Sequence, residues 1–301
     1  MIHVFGHLSP DSDSICSAEI AAHWLTQRGM PAQAYRPGEA SRETQYIFAK
    51  AGLTLPPLLD KPLQGESVYL VDFCEQEQGP ADLENAKIVG LVDHHRLGSL
   101  QNQGPLEAWM MPLGSTASVL FELCQIHQVS LTPALATLML GALLSDTVGL
   151  KSPTTTARDI ELVPLIAEIA QINVEEFTAE LLVAKTDIEG MSVESLLHKD
   201  SKAFEFGGKT LTVGQLELAD FNQVAEIETA LQQALEALVQ SNGKDVAVMM
   251  LTNIRTEQTR LLVAGPAAQQ LQEAKQGELV FEHCLSRKKQ MLPWLNEVFK
   301  G

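Results

Sequence analysis

The chain opens with MIHVFGHLSPDSDSICSAEIAAHWL (residues 1–25), in which an apolar run leads into a polar loop and then into a helical pattern. The run IHVFG (2–6) is continuously apolar rather than alternating, which is typical of a strand buried on both faces. Two further runs of this kind are SVYLVDF (67–73) and AKIVGLVDH (86–94). Amphipathic helical patterns lie between and after them. The sequence therefore predicts an α/β domain in which a parallel sheet is flanked by helices.

The pattern changes from about Asp187. The stretch IEGMSVESLLHKD (188–200) is polar and poorly periodic, and short alternating strands follow on either side of Gly207-Gly208. A long helical pattern over about 222–240 and further strands come next. These features predict a second, smaller α/β domain with a mixed sheet. The predicted parts are residues 1–187 for the first domain, 188–198 for a linker or hinge, and 199–301 for the second domain.

The composition argues against several classes of protein. With 301 residues the chain is long enough for two domains. Its 21 Lys and Arg against 38 Asp and Glu give a net charge of −17, which argues against binding to nucleic acid or to an anionic membrane. No apolar run approaches the ~20 residues of a membrane span, and the N-terminus has no signal-peptide pattern. The four cysteines form no CxxC pair, so we predict reduced thiols in a cytoplasmic protein.

Potential metal ligands follow three of the predicted strands. His7 comes directly after the first strand, Asp72 ends the second, and the triplet DHH (93–95) ends the third. A single Asp after a strand is usually a turn or N-cap residue. Because the carboxyl ends of parallel strands lie at one edge of the sheet, the joint occurrence favours a shared site. Asp11 and Asp13 of the first loop are further candidates for it.

The residue types of this site indicate which metals would bind. Carboxylates and imidazoles without a thiolate suit Mn²⁺, Mg²⁺, Co²⁺ or Fe²⁺ better than a structural zinc ion. Two such ions, held about 3.5–4 Å apart by a bridging carboxylate, stabilise the attacking and leaving oxygens of a phosphoryl transfer. Asp146 in LLSDT (143–147) is another candidate, because it directly follows an apolar helical pattern. An anion is unfavourable at that end of a helix dipole, which favours a ligand over an ordinary helix terminus.

In their order and spacing, these motifs resemble the four motifs of the DHH phosphoesterases. Two further stretches are similar to the manganese-dependent, or family II, inorganic pyrophosphatases. The resemblance covers nearly the whole chain, and no regulatory nucleotide-binding insert interrupts it. The matching stretches are GHLSPDSDS (6–14), VD (71–72), VDHH (92–95), LLSDT (143–147), KSPTTT (151–156) and SRKKQ (286–290).

The family resemblance implies a binuclear metal site. It implies that His7, Asp11 and Asp72 hold one ion, and the other is held by Asp13, Asp72, His94 and Asp146. Asp72 would bridge the two ions. The residues implied to face the phosphates are His95, Lys202, Arg287 and Lys288, so the resemblance implies an active site between the two domains. The implied cofactors are two Mn²⁺ per subunit, with Co²⁺ as a substitute, and Mg²⁺ that arrives with the substrate.

The implied reaction is the hydrolysis of inorganic pyrophosphate to two phosphates by a hydroxide that bridges the two ions. A homodimer is implied by the family alone. An exopolyphosphatase or a phosphodiesterase of the same superfamily is the alternative enzyme. Those phosphodiesterases typically carry a GGGH-like stretch in the second domain, and this chain has no GGH. A regulatory or scaffolding protein that has lost turnover is the alternative from another class, and the complete set of ligands and cations argues against it.

Three smaller motifs have competing interpretations. The run Arg287–Lys289 is the only run of three basic residues; it could be a solvated charged surface, but in this acidic chain it is the best candidate for phosphate binding. Gly114–Thr116 could donate backbone N–H groups to phosphate or merely cap a helix, and we favour capping. The stretch FGGKT (206–210) is no Walker A loop, because Ala203 stands where the motif needs Gly and the flanks alternate like a hairpin. Cys74 receives no role.

Overall fold

The computed structural model describes residues 1–102 and 104–300 and divides the chain into two compact units. Unit 1 comprises Met1–Lys185 and unit 2 begins at Thr186. Each unit has its own hydrophobic clusters, so each has the core of a domain. None of the helices in the described ranges combines the length and the apolar character needed to cross a membrane.

Unit 1 contains a five-stranded sheet with the order β2-β1-β3-β4-β5, in which all pairs of neighbouring strands are parallel. This confirms the predicted parallel sheet with flanking helices. Its strands are β1 (Ile2–Phe5), β2 (Ala32–Ala34), β3 (Ser67–Val71), β4 (Lys87–Asp93) and β5 (Glu107–Met110). Its helices are α1 (Ser12–Gln27), α2 (Arg42–Ala51), α3 (Thr116–Ile126), α4 (Pro133–Asp146), α5 (Ala157–Ala170) and α6 (Val174–Thr186).

The central strands are the ones that the sequence predicted. In β3, all residues from Val68 to Val71 are buried, as expected of a strand covered on both faces. The two edge strands, β2 and β5, were not predicted. β2 has only three residues, and β5 is mostly half-buried. Neither edge strand therefore has the continuous apolar run that marks a central strand.

Helix α4 is the most deeply buried helix of the site, because every residue from Leu135 to Ser145 is buried. The side chain of Thr132 accepts a hydrogen bond from the N–H of Leu135 and so caps its start. The helix continues to Asp146, so this residue lies in the last turn rather than directly after it.

Unit 2 contains a five-stranded mixed sheet with the order β10-β9-β8-β7-β6, in which only β7 and β8 pair in parallel. This agrees with the predicted mixed sheet. Its strands are β6 (Ser201–Phe206), β7 (Lys209–Leu218), β8 (Val246–Asn253), β9 (Gln258–Ala264) and β10 (Val280–Phe281). Its helices are α7 (Val193–His198), α8 (Glu228–Asn242), α9 (Ala268–Lys275) and α10 (Leu292–Lys300), and a π-helical turn spans Arg287–Met291.

The stretch FGGKT (206–210) forms the turn between β6 and β7, which pair antiparallel. Gly207 and Gly208 both have positive φ, of 54° and 72°. A Cβ at Gly207 would lie 1.9 Å from the carbonyl oxygen of Phe299, so the turn needs glycine for space as well as for conformation. The stretch is therefore a hairpin turn and not a phosphate-binding loop.

The segment predicted as a linker, 188–198, contains helix α7. Ile188, Leu196 and Leu197 are buried in the core of unit 2. With six residues, α7 is too short to show helical periodicity in the sequence, which is why it read as an irregular connection. The hinge itself stays a prediction.

Candidate metal centre

Unit 1 brings the six predicted metal ligands together at the carboxyl ends of its strands. His7 follows β1, Asp72 follows β3, and His94 follows β4. Asp11 is the N-cap of α1, where it accepts a hydrogen bond from the N–H of Ser14 over 2.9 Å, and Asp13 lies in the first turn. The ligand-type atoms of these residues, together with Asp146 and His95, form three overlapping groups in which all atoms lie within 4.8 Å of one another.

Asp72 belongs to two of these groups and turns a different oxygen to each. Its Oδ2 lies 3.5 Å from His7 Nε2, which is also 3.6 Å from Asp11 Oδ2. Its Oδ1 lies 3.5 Å from His94 Nε2, and that nitrogen is 3.5 Å from Asp146 Oδ2. The Asp72 carboxylate thus has the arrangement that a bridging ligand needs.

Asp13, His94 and Asp146 form a separate group, which shares His94 with the Oδ1 side of Asp72 but does not include Asp72 itself. Asp11 and Asp13 therefore belong to different groups, although only Ser12 separates them in the chain. The separation of Asp11 from Asp13 agrees with the family resemblance, and the assignment of ligands to two ions stays a prediction.

The third group contains Asp72, His94 and His95, but His95 differs from the other two histidines. Its Nδ1 lies only 2.8 Å from Asp93 Oδ1 and 3.8 Å from Asp72 Oδ1. The same Asp93 oxygen also accepts the backbone N–H groups of His94 and His95. Asp93 thus occupies Nδ1 and orients the ring of His95, so this nitrogen is not free to bind a metal.

The two ring nitrogens of His94 are arranged as in a metal-binding histidine. Its Nδ1 donates to the carbonyl oxygen of Leu113 over 3.0 Å, since a carbonyl can only accept. Its Nε2 is buried and, among the described residues, has no hydrogen-bond partner. Metal-binding imidazoles typically donate one N–H to a carbonyl or carboxylate and leave the other nitrogen for the metal. The orphaned Nε2, facing two carboxylates, therefore fits the predicted group.

The backbone of Asp72 is in the left-handed region, with φ 65°, which is uncommon for a residue other than glycine. Its N–H donates to the carbonyl oxygen of Val92 over 3.0 Å, and its Oδ1 accepts a hydrogen bond from Thr116 Oγ1 over 3.0 Å. Strained residues of this kind persist where the surroundings hold them and often lie at functional sites.

The N-terminus of α3 holds Asp13. The backbone N–H groups of Thr116 and Ala117 donate to Asp13 Oδ2 and Oδ1 over 2.6 and 3.0 Å. The N–H of Gly114 donates to the buried Asp159 over 2.9 Å. Carboxylates of the protein therefore occupy these amides, which supports a structural role for 114–116. No pattern in the sequence indicates that Thr116 contacts Asp72, because the two residues are far apart in the chain.

Crowding shifts the pKa values of the carboxylates in opposite directions. Burial raises the pKa of Asp13 well above its usual range, and the charge of Asp72 adds to this. Burial likewise raises the pKa of Asp146 well above its usual range, with a further contribution from Asp13. Burial also acts on Asp72, but the nearby His7 and His94 rings outweigh it and hold its pKa well below normal. Four carboxylates in one site create a strong demand for positive charge.

The two buried histidines supply part of the positive charge. Burial lowers the pKa of His7, but its interactions with Asp11 and Asp72 are stronger and raise the pKa to about 10. Burial also lowers the pKa of His94, and Asp72 and Asp146 raise it to about 10. Without a metal ion, both rings are therefore protonated near neutral pH. A metal ion has to displace these protons to bind.

The predicted phosphate-binding cations lie in unit 2. Lys202 is on β6, where it pairs with Val213 of β7. Arg287 and Lys288 lie in the π-helical turn, a conformation that is rare and frequent at functional sites. Arg287 Nη1 donates to the carbonyl oxygens of Asp200 and Val213 over 2.7 and 3.3 Å, so Arg287 and Lys202 lie at the same part of the β6–β7 pair.

Arg287 is also paired with a carboxylate, which the sequence did not reveal. Its Nη2 donates to Asp200 Oδ1 over 2.8 Å, and its side chain is only 11% exposed. The turn around it is held by Gln290, whose Oε1 accepts the N–H groups of Leu285 and Ser286. Asp200 and Gln290 thus fix the backbone and the guanidinium at this position.

Cys74 is buried, and its Sγ donates to the carbonyl oxygen of Arg96 over 2.9 Å. Burial, together with the nearby Asp93, raises its pKa to about 12. The thiol is therefore protonated and unsuited to bind a metal at neutral pH.

Comparison with known proteins identifies related sequences. The sequence model of the DHH family, N-terminal domain, matches residues 1–143, and that of the DHHA2 domain matches residues 179–298. The manganese-dependent inorganic pyrophosphatase of Methanocaldococcus jannaschii is 36% identical over an alignment that covers 100% of both chains. A protein of Shouchella clausii, named as a probable manganese-dependent inorganic pyrophosphatase, is 34% identical over 98% of this chain and 96% of its own length.

Solved structures give the same relationship. A crystal structure from Methanococcus jannaschii, assigned to the family II inorganic pyrophosphatases, matches with a TM-score of 0.89 and 35% identity over 100% of both chains. An exopolyphosphatase-related protein from Bacteroides fragilis matches with a TM-score of 0.53 and 13% identity over 99% of this chain and 92% of its own. The second likeness shows a shared fold and nothing more.

Proposed function

Because the chain belongs to the manganese-dependent, or family II, inorganic pyrophosphatases, we propose that it hydrolyses inorganic pyrophosphate to two phosphate ions. One observation within the chain carries this proposal. Asp72 turns one carboxylate oxygen to His7 and the other to His94, so that two ligand groups share one carboxylate. A shared carboxylate is the feature by which a protein holds two ions close enough for a phosphoryl transfer.

The donor set supports two Mn²⁺ ions per subunit, with Co²⁺ as a substitute. One ion would be held by His7, Asp11 and Asp72, and the other by Asp13, Asp72, His94 and Asp146. Oxygen and imidazole donors suit Mn²⁺, and Mg²⁺ would arrive with the substrate. When bound, such ions lower the pKa of water toward neutrality and polarise the phosphoryl oxygens.

The remaining side chains would bind and orient the substrate. Asp93 holds His95 Nδ1, which leaves Nε2 of that ring to face a phosphate oxygen. Lys202, Arg287 and Lys288 of unit 2 would bind the phosphates and stabilise the charge that moves onto the leaving group. The guanidinium of Arg287 can bind phosphate through two parallel hydrogen bonds. The proposed active site therefore uses residues of both units.

The proposed setting is a homodimer in the cytoplasm with pyrophosphate as its partner and no nucleic acid or membrane. The homodimer comes from the family. The other parts come from the composition, chiefly the net charge of −17 and the dispersed cysteines.

The proposal is tested by phosphate release from metal-free protein that is reconstituted in turn with Mn²⁺, Co²⁺, Zn²⁺ and Mg²⁺. We expect turnover of pyrophosphate with Mn²⁺ and with Co²⁺, and at most slow turnover of tripolyphosphate and of a dinucleotide. Asp72→Asn is the variant that tests the shared carboxylate, because Asn tolerates a positive φ and keeps the shape of the side chain while removing its charge. It should lower kcat by roughly three orders of magnitude, since ion charge contributes several kcal/mol.

Two results would contradict the proposal. One is the absence of phosphate release from pyrophosphate with every metal. The other is a higher kcat/KM for the dinucleotide or for tripolyphosphate than for pyrophosphate, which would identify a phosphodiesterase or an exopolyphosphatase instead. An Asp72→Asn protein with full turnover would disprove the binuclear site.

A further inference from the structure

A second layer of polar side chains in unit 1 takes no part in the proposed reaction. Four of its residues, Ser12, Glu43, Ser145 and Lys185, are called the Glu43 network here. Ser12 Oγ donates to Glu43 Oε2 over 3.0 Å, and Lys185 Nζ lies 3.6 Å from the same oxygen. Lys185 Nζ also donates to Ser145 Oγ over 3.3 Å. The network thus joins four helices, α1, α2, α4 and α6, through side chains alone.

The two serines of the network are chain neighbours of candidate ligands. Ser12 lies between Asp11 and Asp13 at the start of α1, and Ser145 precedes Asp146 in the last turn of α4. A shift of either serine therefore moves a carboxylate of the metal centre. Glu43 and Lys185 therefore connect the Asp11–Asp13 segment to the end of α4, on the side away from the candidate ligand atoms.

The stability of the fold does not account for this network. The side chains of Glu43 and Lys185 are only 6% and 14% exposed. Within the described part of the chain, Glu43 Oε1 is buried and has no hydrogen-bond partner. A buried ion pair loses several kcal/mol of solvation per ion, and apolar side chains of the same size often replace such a pair without loss of stability. A buried charge with one unsatisfied oxygen needs another explanation.

The carboxylates of the metal centre lie close together, so like-charge repulsion opposes the close spacing of the α1 and α4 ends when no ion is bound. Metal sites lose affinity when their ligands are misplaced by about 0.5 Å or more. We propose that Glu43 and Lys185 are positioning residues: they hold the Asp11–Asp13 segment and Asp146 at the spacing that the two ions require. This inference rests on the proposed two-ion site and identifies residues that set its affinity.

The test measures Mn²⁺ binding to metal-free protein by calorimetric titration, with no substrate present. Glu43→Ala removes the carboxylate that joins Ser12 to Lys185 and, among the described residues, leaves Ser12 Oγ only Thr44 Oγ1, 2.9 Å away. We expect both ions to bind about 10 to 100 times more weakly, as when a hydrogen-bond partner of a metal ligand is lost. Glu43→Gln keeps an acceptor of the same shape, so it should restore binding to within a few fold of the unmodified protein. A purely structural role would predict lower thermal stability without this rescue of affinity.

The chain offers a matched control between the same two helices. Glu180 of α6 pairs with Lys50 of α2 over 2.8 Å, but this pair is about 40% exposed and adjoins none of the candidate ligands. Glu180→Ala should leave the Mn²⁺ affinity unchanged. Ser145→Ala keeps a good helix former and loosens only one side of the network. It should weaken the ion held by Asp13, His94 and Asp146 more than the ion held by His7.

Three outcomes would overturn the proposal: Mn²⁺ affinities in Glu43→Ala equal to those of the unmodified protein, equal losses in Glu180→Ala, or a Glu43→Gln protein as weak as Glu43→Ala. If Glu43→Ala does not fold, the Ser145→Ala protein is the deciding test. An unchanged Mn²⁺ affinity of that protein at both sites would then overturn the proposal. Unmodified protein that binds no Mn²⁺ contradicts the proposed function instead. The two failures are therefore distinguishable.

Discussion

Asp11 and Asp13 are separated by one residue, yet the start of α1 directs their carboxylates into different groups. Asp11 caps the helix and lies 3.6 Å from His7, whereas Asp13 lies in the first turn and accepts hydrogen bonds from the N-terminus of α3. The difference follows from local geometry, because an N-cap residue is extended and a first-turn residue is helical. The loop therefore supplies one ligand to each group.

We expect Asp11→Asn and Asp13→Asn to empty different metal sites. Asp11→Asn should weaken the ion shared with His7, and Asp13→Asn the ion shared with His94 and Asp146, each by at least ~10-fold, since a charged ligand is lost. Asp13→Asn should also lower the melting temperature, because its carboxylate accepts two backbone N–H groups.

Metal stoichiometry by elemental analysis and paramagnetic resonance of bound Mn²⁺ would measure both effects. In each variant the other ion serves as the internal control. Loss of the same ion in both variants would refute the assignment.

The candidate ligands could be singled out from the sequence because they follow strands or occur in short motifs, and their role as ligands stays a prediction. The residues that hold them could not. Thr116 contacts Asp72, and Glu43 contacts Ser12, across long stretches of chain that no local pattern connects. Hydrogen bonds of this kind depend on how helices pack, and a single sequence contains no direct record of that packing.

At the scale of elements, the extent of burial distinguishes the strands that were predicted from those that were missed. β3 and β4 are central strands with continuous apolar runs, and both were predicted. β2, β5 and β10 lie at sheet edges, where fewer residues are buried, and β10 has only two residues. Short edge strands have no periodicity that distinguishes them from loops.

The π-helical turn is the element that carries the basic run SRKKQ (286–290). Its first residues are held by Gln290 and by Ser286 Oγ, which accepts the N–H of Lys289 over 3.1 Å. A π-helical turn holds one residue more than an α-helical turn and is frequent at functional sites, which is consistent with the proposed role of Arg287 and Lys288.

We expect Lys288→Ala to impair substrate binding rather than metal binding. The loss of a charged hydrogen bond to phosphate costs about 1.5–3 kcal/mol, or roughly 10- to 100-fold in kcat/KM. Steady-state kinetics with Mn²⁺ would show this as a raised KM for pyrophosphate, while calorimetry would show unchanged Mn²⁺ affinity. Lys289→Ala, in the same turn, is the control and should change kcat/KM little. A Lys288→Ala protein with unaltered kinetics would argue against the proposed role.

At the scale of the whole molecule, the functional charges are divided between the two units. All candidate metal ligands lie in unit 1. Lys202, Arg287 and Lys288, the cations proposed to bind phosphate, lie in unit 2. In a chain with a net charge of −17, an anionic substrate depends on a few local cations and on the metal ions. The composition alone therefore explains why an anionic substrate would need metal.

The buried histidines couple metal binding to pH. In metal-free protein their pKa values are raised to about 10, so both rings are charged near pH 7. Each ion that binds must displace a proton from His7 or His94. Between about pH 6 and 8, we therefore expect the dissociation constant for Mn²⁺ to fall about tenfold per pH unit for each ion. Titrations at several pH values would measure the slope, and a slope near zero would contradict the pKa shifts.

The same shifts predict the stability of the metal-free protein. A folded pKa above the unfolded value of about 6.5 means that the two charged rings stabilise the fold fully below that pH. This contribution is then lost as the pH rises through about 10. Thermal melts of chelator-treated protein should show the loss, and saturating Mn²⁺ should remove it, because the ions take over the positive charge.

The pairing of Arg287 with Asp200 has a consequence for the entropy of substrate binding. A free arginine side chain loses up to about 2 kcal/mol of rotational freedom when it becomes ordered. Here the side chain is 11% exposed and already holds Asp200 through its carboxylate and its carbonyl oxygen. That freedom is lost when the chain folds, before any phosphate arrives. If Arg287 binds phosphate as proposed, the substrate would meet a donor that is already fixed, and the affinity gained from it would not depend on freezing a mobile side chain.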